Sequence, residues 1–286
     1  MAVVKALMIG DVVGDSGLDA LEGLLPAAIR EYGADFVVVN GENAAKGFGL
    51  TEKTLRRILS AGADMVTSGN HVWEKREFWP VMEKEPRILR PANYPAGTVG
   101  RGWALMEKAG VPWVVINLQG REQMTPIDCP FRAFDAIFNG LGSATASDAH
   151  PLYESGGFLP DSPFTGPILV DFHAESTREK EALGYFIDGR ASLIAGTHTH
   201  VQTADERILP RGSGYITDLG MTGVAGAVIG MDTKICLDQT RTQVPYHMEP
   251  AKPGPGLREV MTGVVVEIDR ETGRALSVAR VAKFGG

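Results

Sequence analysis

Short uninterrupted apolar runs, each closing on polar residues, alternate along this chain with stretches whose apolar residues recur every three or four positions. Val3–Ile9 closes on Gly10-Asp11, Asp35-Phe-Val-Val-Val39 on Asn40-Gly-Glu-Asn43, and Asp64-Met-Val-Thr67 on Ser68-Gly-Asn-His71. Runs of this length without a period read as buried strands. Leu18–Tyr32 sets Leu21, Leu24, Leu25, Ala28, Ile29 and Tyr32 on a helical stripe with Gly33 as its stop, and Pro26 inside it predicts a kink or restart. A second helix is expected from about Thr51, with Leu55, Ile58 and Leu59 on one face and Gly62 as stop. The order β-α-β-α-β is that of parallel strands covered by helices.

Residues 86–112 are rich in proline and glycine and read as loops with a short hairpin, and Trp113–Asn117 is the next strand. From Leu118 to Pro167 the pattern weakens around a helix at Arg132–Asn139; long loops are often functional, and part of this one is expected at a site rim. Ile168–Phe172 is a strand ending at His173, and Ser176-Thr-Arg-Glu179 matches a capping box opening a helix that carries Leu183, Phe186 and Ile187. A strand to Ala195 runs into Gly196-Thr-His-Thr-His200, and Gly214–Thr217 into Asp218-Leu-Gly-Met-Thr-Gly223. Residues 224–256 show no period and read as a flap or an oligomer contact, and Met261–Ile268 with Ala275–Val281 reads as a hairpin. With no repeat and no linker, one domain over 1–286 is expected.

Composition narrows the class. In 286 residues, 44% hydrophobic and 22% charged residues specify a packed globule, and the net charge of −7 argues against a broad electrostatic grip on duplex nucleic acid. The two cysteines, Cys129 and Cys236, form no CxxC pair, which argues against a disulfide framework or a cysteine-rich zinc site. No apolar run approaches a membrane span and the apolar start is too short for a signal peptide, so a cytoplasmic protein is expected.

Chemistry gathers where the strands end. Asp11, Glu42 with Asn43, Asn70 with His71, His173, and His198 with His200 each stand at the carboxyl end of an expected strand, where open α/β sheets bind ligands. Four of the six histidines fall there; His150 and His247 lie in irregular stretches and read as surface residues or bystanders. Taken singly, each group has a plainer reading. Asp11 and Glu42 could be helix-start carboxylates, Asn43 a turn residue, His71 a turn cap and His173 a satisfied core histidine. Together, carboxylate, amide oxygen and imidazole without thiolate suit manganese, iron, zinc or cobalt, in numbers sufficient for two ions with Glu42 as the candidate bridge. Two ions would acidify a shared water and clamp the oxygens of an in-line phosphoryl displacement. Asp15, Glu175 and His247 earn no ligand role, Asp218 reads either as a support behind the ligands or as structural, with Gly220 and Gly223 shaping its loop, and Met221 and Met231 read as packing.

Through Gly10-Asp11, Asn40-Gly-Glu-Asn43, Gly69-Asn-His71, Val170-Asp-Phe-His-Ala-Glu175 and Gly196-Thr-His-Thr-His-Val201, the chain resembles the calcineurin-like metallophosphoesterases, and within them the YmdB-like family of bacterial phosphodiesterases. Arg90-Pro-Ala-Asn-Tyr-Pro95 and Asp218–Gly223 resemble the narrower family as well. The resemblance implies a four-layer αββα sandwich of two mixed sheets, which periodicity alone does not give. It implies one metal on Asp11, Glu42, Asn43 and His200 and another on Glu42, Asn70, His173 and His198, with iron or manganese favoured and zinc compatible. It assigns His71 to the scissile phosphate, as proton donor to the leaving oxygen. The broad superfamily continues Asp-x-His where this chain has Asp11-Val12-Val13, and supplies aspartate where it has Glu42; the narrower family shares both changes, with Asn43 in the missing histidine's place. Asn117-Leu-Gln-Gly-Arg121 is looser than the family's usual run.

The expected function is hydrolysis of a phosphodiester, a 2′,3′-cyclic nucleotide on the family's example, by in-line attack of metal-bound hydroxide with His71 protonating the departing ribose oxygen. A 5′-nucleotidase or other phosphomonoesterase, a di-metal amidohydrolase, and a regulatory protein that binds RNA or a partner over structural metals are the alternatives. The amidohydrolase is disfavoured because its HxH pair belongs early in the chain. A homo-oligomer is expected and a membrane partner is not.

Overall fold

The computed structural model describes residues 2–141, 164 and 166–285. Its first sheet contains β1 (Val3–Ile9), β2 (Asp11–Val12), β3 (Phe36–Asn40) and β4 (Met65–Thr67). The second contains β5 (Trp103–Lys108), β6 (Val111–Gln119), β7 (Ile168–His173), β8 (Leu193–Thr197), β9 (Arg207–Ile208) and β10 (Gly214–Ile216). β11 (Met221–Ala225), β12 (Arg258–Asp269) and β13 (Ala275–Phe284) return to the first. The strand orders are β2-β11-β12-β1-β3-β4, with β13 on the far side of the β12 ladder, and β5-β6-β7-β8-β10-β9. β1, β3 and β4 run parallel, as do β6, β7, β8 and β10, and β12 lies antiparallel to β1. Both sheets are mixed, as expected.

Strand alternation divides the core into layers. Leu7, Ile9, Val37 and Val39 face outward onto α1 (Gly14–Tyr32), α2 (Glu52–Ser60) and α3 (Trp79–Lys84). Ala6, Met8, Phe36 and Val38 face inward, where they meet Trp113, Val115, Leu169 and Leu193 of the second sheet. Val114, Ile116, Val170 and Ile194 cover the outer side of that sheet beneath α4 (Pro130–Gly140) and α5 (Thr177–Ile187). The result is the αββα sandwich.

Local signals act mostly as expected. Thr51 caps α2 through a reciprocal pair of bonds with Thr54, and Gly33 closes α1 at φ +64°. β5 and β6 form a hairpin turned through Ala109 and Gly110, both at positive φ, with Trp113 on its second strand. Three readings change. α1 runs unbroken from Gly14 through Pro26 to Tyr32, and the carbonyl that Pro26 leaves without a helical donor is that of exposed Glu22. Ser176 makes only half of a capping box: its hydroxyl accepts from the Glu179 N–H, while the Glu179 carboxylate accepts from the backbone of Arg121 and Glu122. Within 224–256 lies α6 (Thr233–Thr242), capped by Asp232 and followed by the exposed stretch 243–247. His150 lies outside the described residues, and His247 is exposed. Among the described residues no helix is long and apolar enough to cross a membrane.

The inner layer is pinned by Phe36 and Trp113, which stack across the sheets with ring centroids 4.8 Å apart and are both fully buried. Trp113→Ala is expected to cost about 3–5 kcal/mol, read as a lower urea midpoint at unchanged m-value. A midpoint equal to that of the parent protein would contradict this packing.

Candidate metal centre

Parallel strands of both sheets deliver their carboxyl ends to one place. β1 ends before Asp11, β3 before Glu42 and Asn43, β4 before Asn70 and His71, and β8 before His198 and His200; His173 is the last residue of β7 rather than the first beyond it. All seven residues expected as ligands stand at this convergence, and Glu42, His173 and His198 bring one ligand atom each within 4.8 Å of one another.

His173 is fully buried, and its Nε2 faces Asn70 Oδ1 at 2.9 Å, His198 Nδ1 at 3.0 Å and Glu42 Oε1 at 3.1 Å. A proton on that nitrogen can serve one of these acceptors; a cation in the same space serves them all. On the other flank, His200 Nε2 lies 3.4 Å from Asp11 Oδ2 and 3.1 Å from the Asn43 amide. Asp11 Oδ1 and Asn43 Oδ1 are buried and take no hydrogen bond among the described residues. Buried oxygens normally find a donor, so two orphans beside converging imidazoles are a set that a cation completes. The residues fit divalent transition-metal ions. Glu42 joins the flanks: Oε1 also accepts from the Asn43 amide at 3.2 Å, and Oε2 from the His71 N–H at 3.3 Å.

Each histidine has its outer nitrogen held by an acceptor. Thr197 Oγ1 stands 3.0 Å from His173 Nδ1, Glu175 Oε2 lies 3.2 Å from His198 Nε2, and the Ile229 carbonyl lies 2.8 Å from His200 Nδ1. Thr197 gives its own proton to Asp171 at 2.7 Å, so it can only accept from His173. These partners assign the N–H to the outer nitrogen of each ring and turn the lone pair inward. Glu175 was weighed from sequence only as a ligand and given no such role, and Thr197 was not singled out. Period-two spacing offers a signal for Asp171, since Asp171 and His173 share a face of β7.

With protons alone balancing these charges, the titrations spread apart. Burial opposes the charge on Glu42, but the charge and hydrogen bond of His173 bring it down to about 2. Burial and then the charge of His173 push His198 down to about 3. Burial works against the charge on His200, yet the hydrogen bond and charge of Asp11 hold it up at about 9. Burial pushes Asp171 up to about 6 despite the Thr67 hydroxyl.

Backbone detail makes the close approach possible. A Cβ on Gly69 would stand 2.2 Å from His173 Cδ2 and 2.3 Å from Glu42 Oε2, so glycine is required there. His198 and His200 sit at φ +101° and +65°, a conformation that costs on the order of 1–3 kcal/mol for a non-glycine residue. The His198 N–H donates to Asp11 Oδ2 at 3.0 Å, one of the bonds that hold this turn. His71 stands at the rim, half-buried, with Phe48 edge-on at 4.9 Å and Glu74 Oε1 3.5 Å from Nδ1. Arg121 is exposed, and its backbone N–H is engaged by Glu179. Met221 and Met231 pack with Val13, Cys236 and Val260, as read from sequence.

Comparison with known proteins agrees with this geometry. A 2′,3′-cyclic-nucleotide 2′-phosphodiesterase of Bacillus subtilis (strain 168) is 41% identical over 278 residues, 97% of this chain and 96% of that protein. The crystal structure of a hypothetical protein from Thermus thermophilus superposes with a TM-score of 0.84 at 35% identity, covering 99% of this chain and 100% of the other. That of a novel phosphatase from Mycoplasma pneumoniae gives 0.85 at 29% identity, covering 99% and 94%. The calcineurin-like phosphoesterase YfkN of Bacillus subtilis, at 12% identity and a TM-score of 0.53 over 99% of this chain and 90% of that one, shares the fold. The family model described as YmdB-like protein matches residues 7–281, and the chain belongs to that family.

Proposed function

We propose that this protein hydrolyses 2′,3′-cyclic nucleotides at a centre of two transition-metal ions. The chain is a hydrolase of phosphoric esters, and the observation that carries the reading is the pair of donor groups joined by Glu42. In it Asn70, His173 and His198 would hold one ion and Asp11, Asn43 and His200 the other, with Glu42 shared between the two sets. Iron or manganese matches this oxygen-and-imidazole set, which contains no thiolate. Bound there, the ions supply an acidified water as nucleophile and positive charge against the developing charge on the phosphoryl oxygens.

The protein's own groups supply orientation and a proton. The outer hydrogen bonds that the three rings donate to Thr197, Glu175 and Ile229 fix the ring planes, so the cavity keeps its shape before substrate arrives. His71, at the rim with its backbone tied to Glu42, protonates the 2′ oxygen as the P–O2′ bond breaks and water adds to phosphorus, leaving a 3′-phosphate. Phe48 and Glu74 hold the His71 ring from two sides. The 41% identity to a cyclic-nucleotide phosphodiesterase over nearly the whole chain supports the substrate class. The low cysteine count supports a cytoplasmic setting, and exposed Leu237, Val244 and Tyr246 support 224–256 as a contact between copies of a one-domain chain.

Glu42→Ala is expected to lose both bound metal, by elemental analysis, and cyclic-nucleotide turnover; a variant that keeps both ions and full activity would remove the bridge. His71→Ala is expected to keep its metal while kcat on 2′,3′-cyclic AMP falls roughly 10²–10⁴-fold, the usual worth of a general acid. A larger loss of metal than of turnover would assign His71 to the ligands instead. Comparing 2′,3′-cyclic AMP with 5′-AMP at equal metal content separates the diesterase from a nucleotidase. Because His200 holds its proton up to about pH 9, metal has to displace it at neutral pH. Affinity should therefore fall as pH drops below about 9, with proton release visible by calorimetry in buffers of different ionisation enthalpy. Uptake without proton release at pH 7 would contradict the assignment of His200.

A further inference from the structure

The strained turn carrying His198 and His200 is held from beneath by a buried ion pair that the chemistry above does not use. Lys180 of α5 and Asp218, beyond β10, are 1% and 0% exposed, with Nζ 2.7 Å from Oδ2. The same Oδ2 accepts from the Thr199 N–H at 3.1 Å and from the Thr199 hydroxyl at 2.8 Å, while Oδ1 accepts from the Gly220 N–H at 2.8 Å. Thr199 is the residue between the two histidines, so one carboxylate grips the turn at its centre by both main chain and side chain. The Lys180 stem reaches Asp218 across Gly196 of β8, where a Cβ would stand 2.9 Å from Lys180 Cδ and 1.8 Å from the Thr217 carbonyl oxygen.

Two physical facts make this more than an incidental pair. Non-glycine residues at φ +101° and +65° persist only where the surroundings over-determine them, and the Asp218 bonds to Thr199 lie between those two positions. A fully buried carboxylate also needs a countercharge or a set of donors, and here it has both, which leaves its oxygens fixed in direction.

We propose that Asp218, neutralised by Lys180, is a positioning residue that sets the spacing of His198 and His200 and thereby the metal affinity of both flanks of the centre. The proposal rests on the reading of those two histidines as ligands. Thr199 is the mechanical link, since it bonds Asp218 while its two neighbours face the metals.

The test compares two double variants in which no buried charge is left unpaired. Lys180→Met/Asp218→Asn keeps an oxygen for Thr199, whereas Lys180→Met/Asp218→Leu removes it. Each is followed by circular dichroism, manganese titration and cyclic-nucleotide kinetics. The asparagine variant should bind manganese close to the parent affinity. The leucine variant should bind roughly 10–100-fold more weakly, the usual effect of removing a group that orients a ligand. Its kcat should fall at limiting manganese and recover with excess, at unchanged KM. Parent affinity in the folded leucine variant overturns the proposal. Should that variant fail to fold, Thr199→Val decides: weaker manganese binding supports the proposal and unchanged binding overturns it. His198→Ala and His200→Ala, titrated alongside, separate the two layers of the argument. If they keep parent affinity, the ligand reading itself is wrong; if they lose it while Thr199→Val and the leucine variant do not, only the role of Asp218 is.

Discussion

Asp171 is the carboxylate on which the meeting of the two sheets depends. It is fully buried on β7, takes the Asn40 amide at 3.0 Å and the Thr67 hydroxyl from the first sheet, and takes the Thr197 hydroxyl from its own at 2.7 Å. A buried carboxyl without donors would cost several kcal/mol, so three donors from three strands make the relative position of the sheets a condition of its stability. Directly above, Thr197 passes the constraint to His173. The polar layer under the metal site and the hydrophobic layer further along the strands thus do different jobs. Phe36, Trp113 and their neighbours supply the attraction between sheets; Asp171 fixes where along the strands they stop.

From that fixed point, the centre is a problem of placing charge where water is scarce. Two carboxylates and three imidazoles in one buried volume repel or protonate one another until a cation enters, which is why Glu42, His198 and His200 titrate so far apart. The fold accepts this frustration because parallel strands end there anyway, their backbone groups already satisfied by neighbours, so that side chains alone carry the mismatch. Local exceptions follow: glycine at position 69 to let Glu42 and His173 approach, and left-handed backbone at both histidines of the turn.

The sequence made the strand ends legible because each buried strand is an apolar run that stops abruptly at a polar residue. The pairing of two sheets was not legible from periodicity, since strands buried on both faces lose the alternation that would say which layer each face meets. α6 escaped notice because only Cys236 of its ten residues is buried, leaving no stripe to read beyond the Asp232 cap. Lys180 went unread in the sequence. Its spacing to Leu183 and Ile187 places it on the buried stripe of α5, and a lysine in that register is a signal for a buried partner. Glu175 earned no role from sequence because a carboxylate two residues past His173 has no spacing that distinguishes it. Only the fold turns it toward His198 Nε2. The seven residues expected as ligands are legible together because their type and their place at strand ends coincide, whereas the groups that orient their side chains depend on register between strands distant in sequence.

The central claim is that one glutamate joins two metal positions. Anomalous diffraction from crystals of the manganese-loaded protein, collected at the manganese edge, tests it most directly. The account predicts two peaks within one cavity, one among Asn70, His173 and His198 and the other among Asp11, Asn43 and His200, with the Glu42 carboxylate between them. A single peak in that cavity, or two peaks with Glu42 bound to neither, would contradict it.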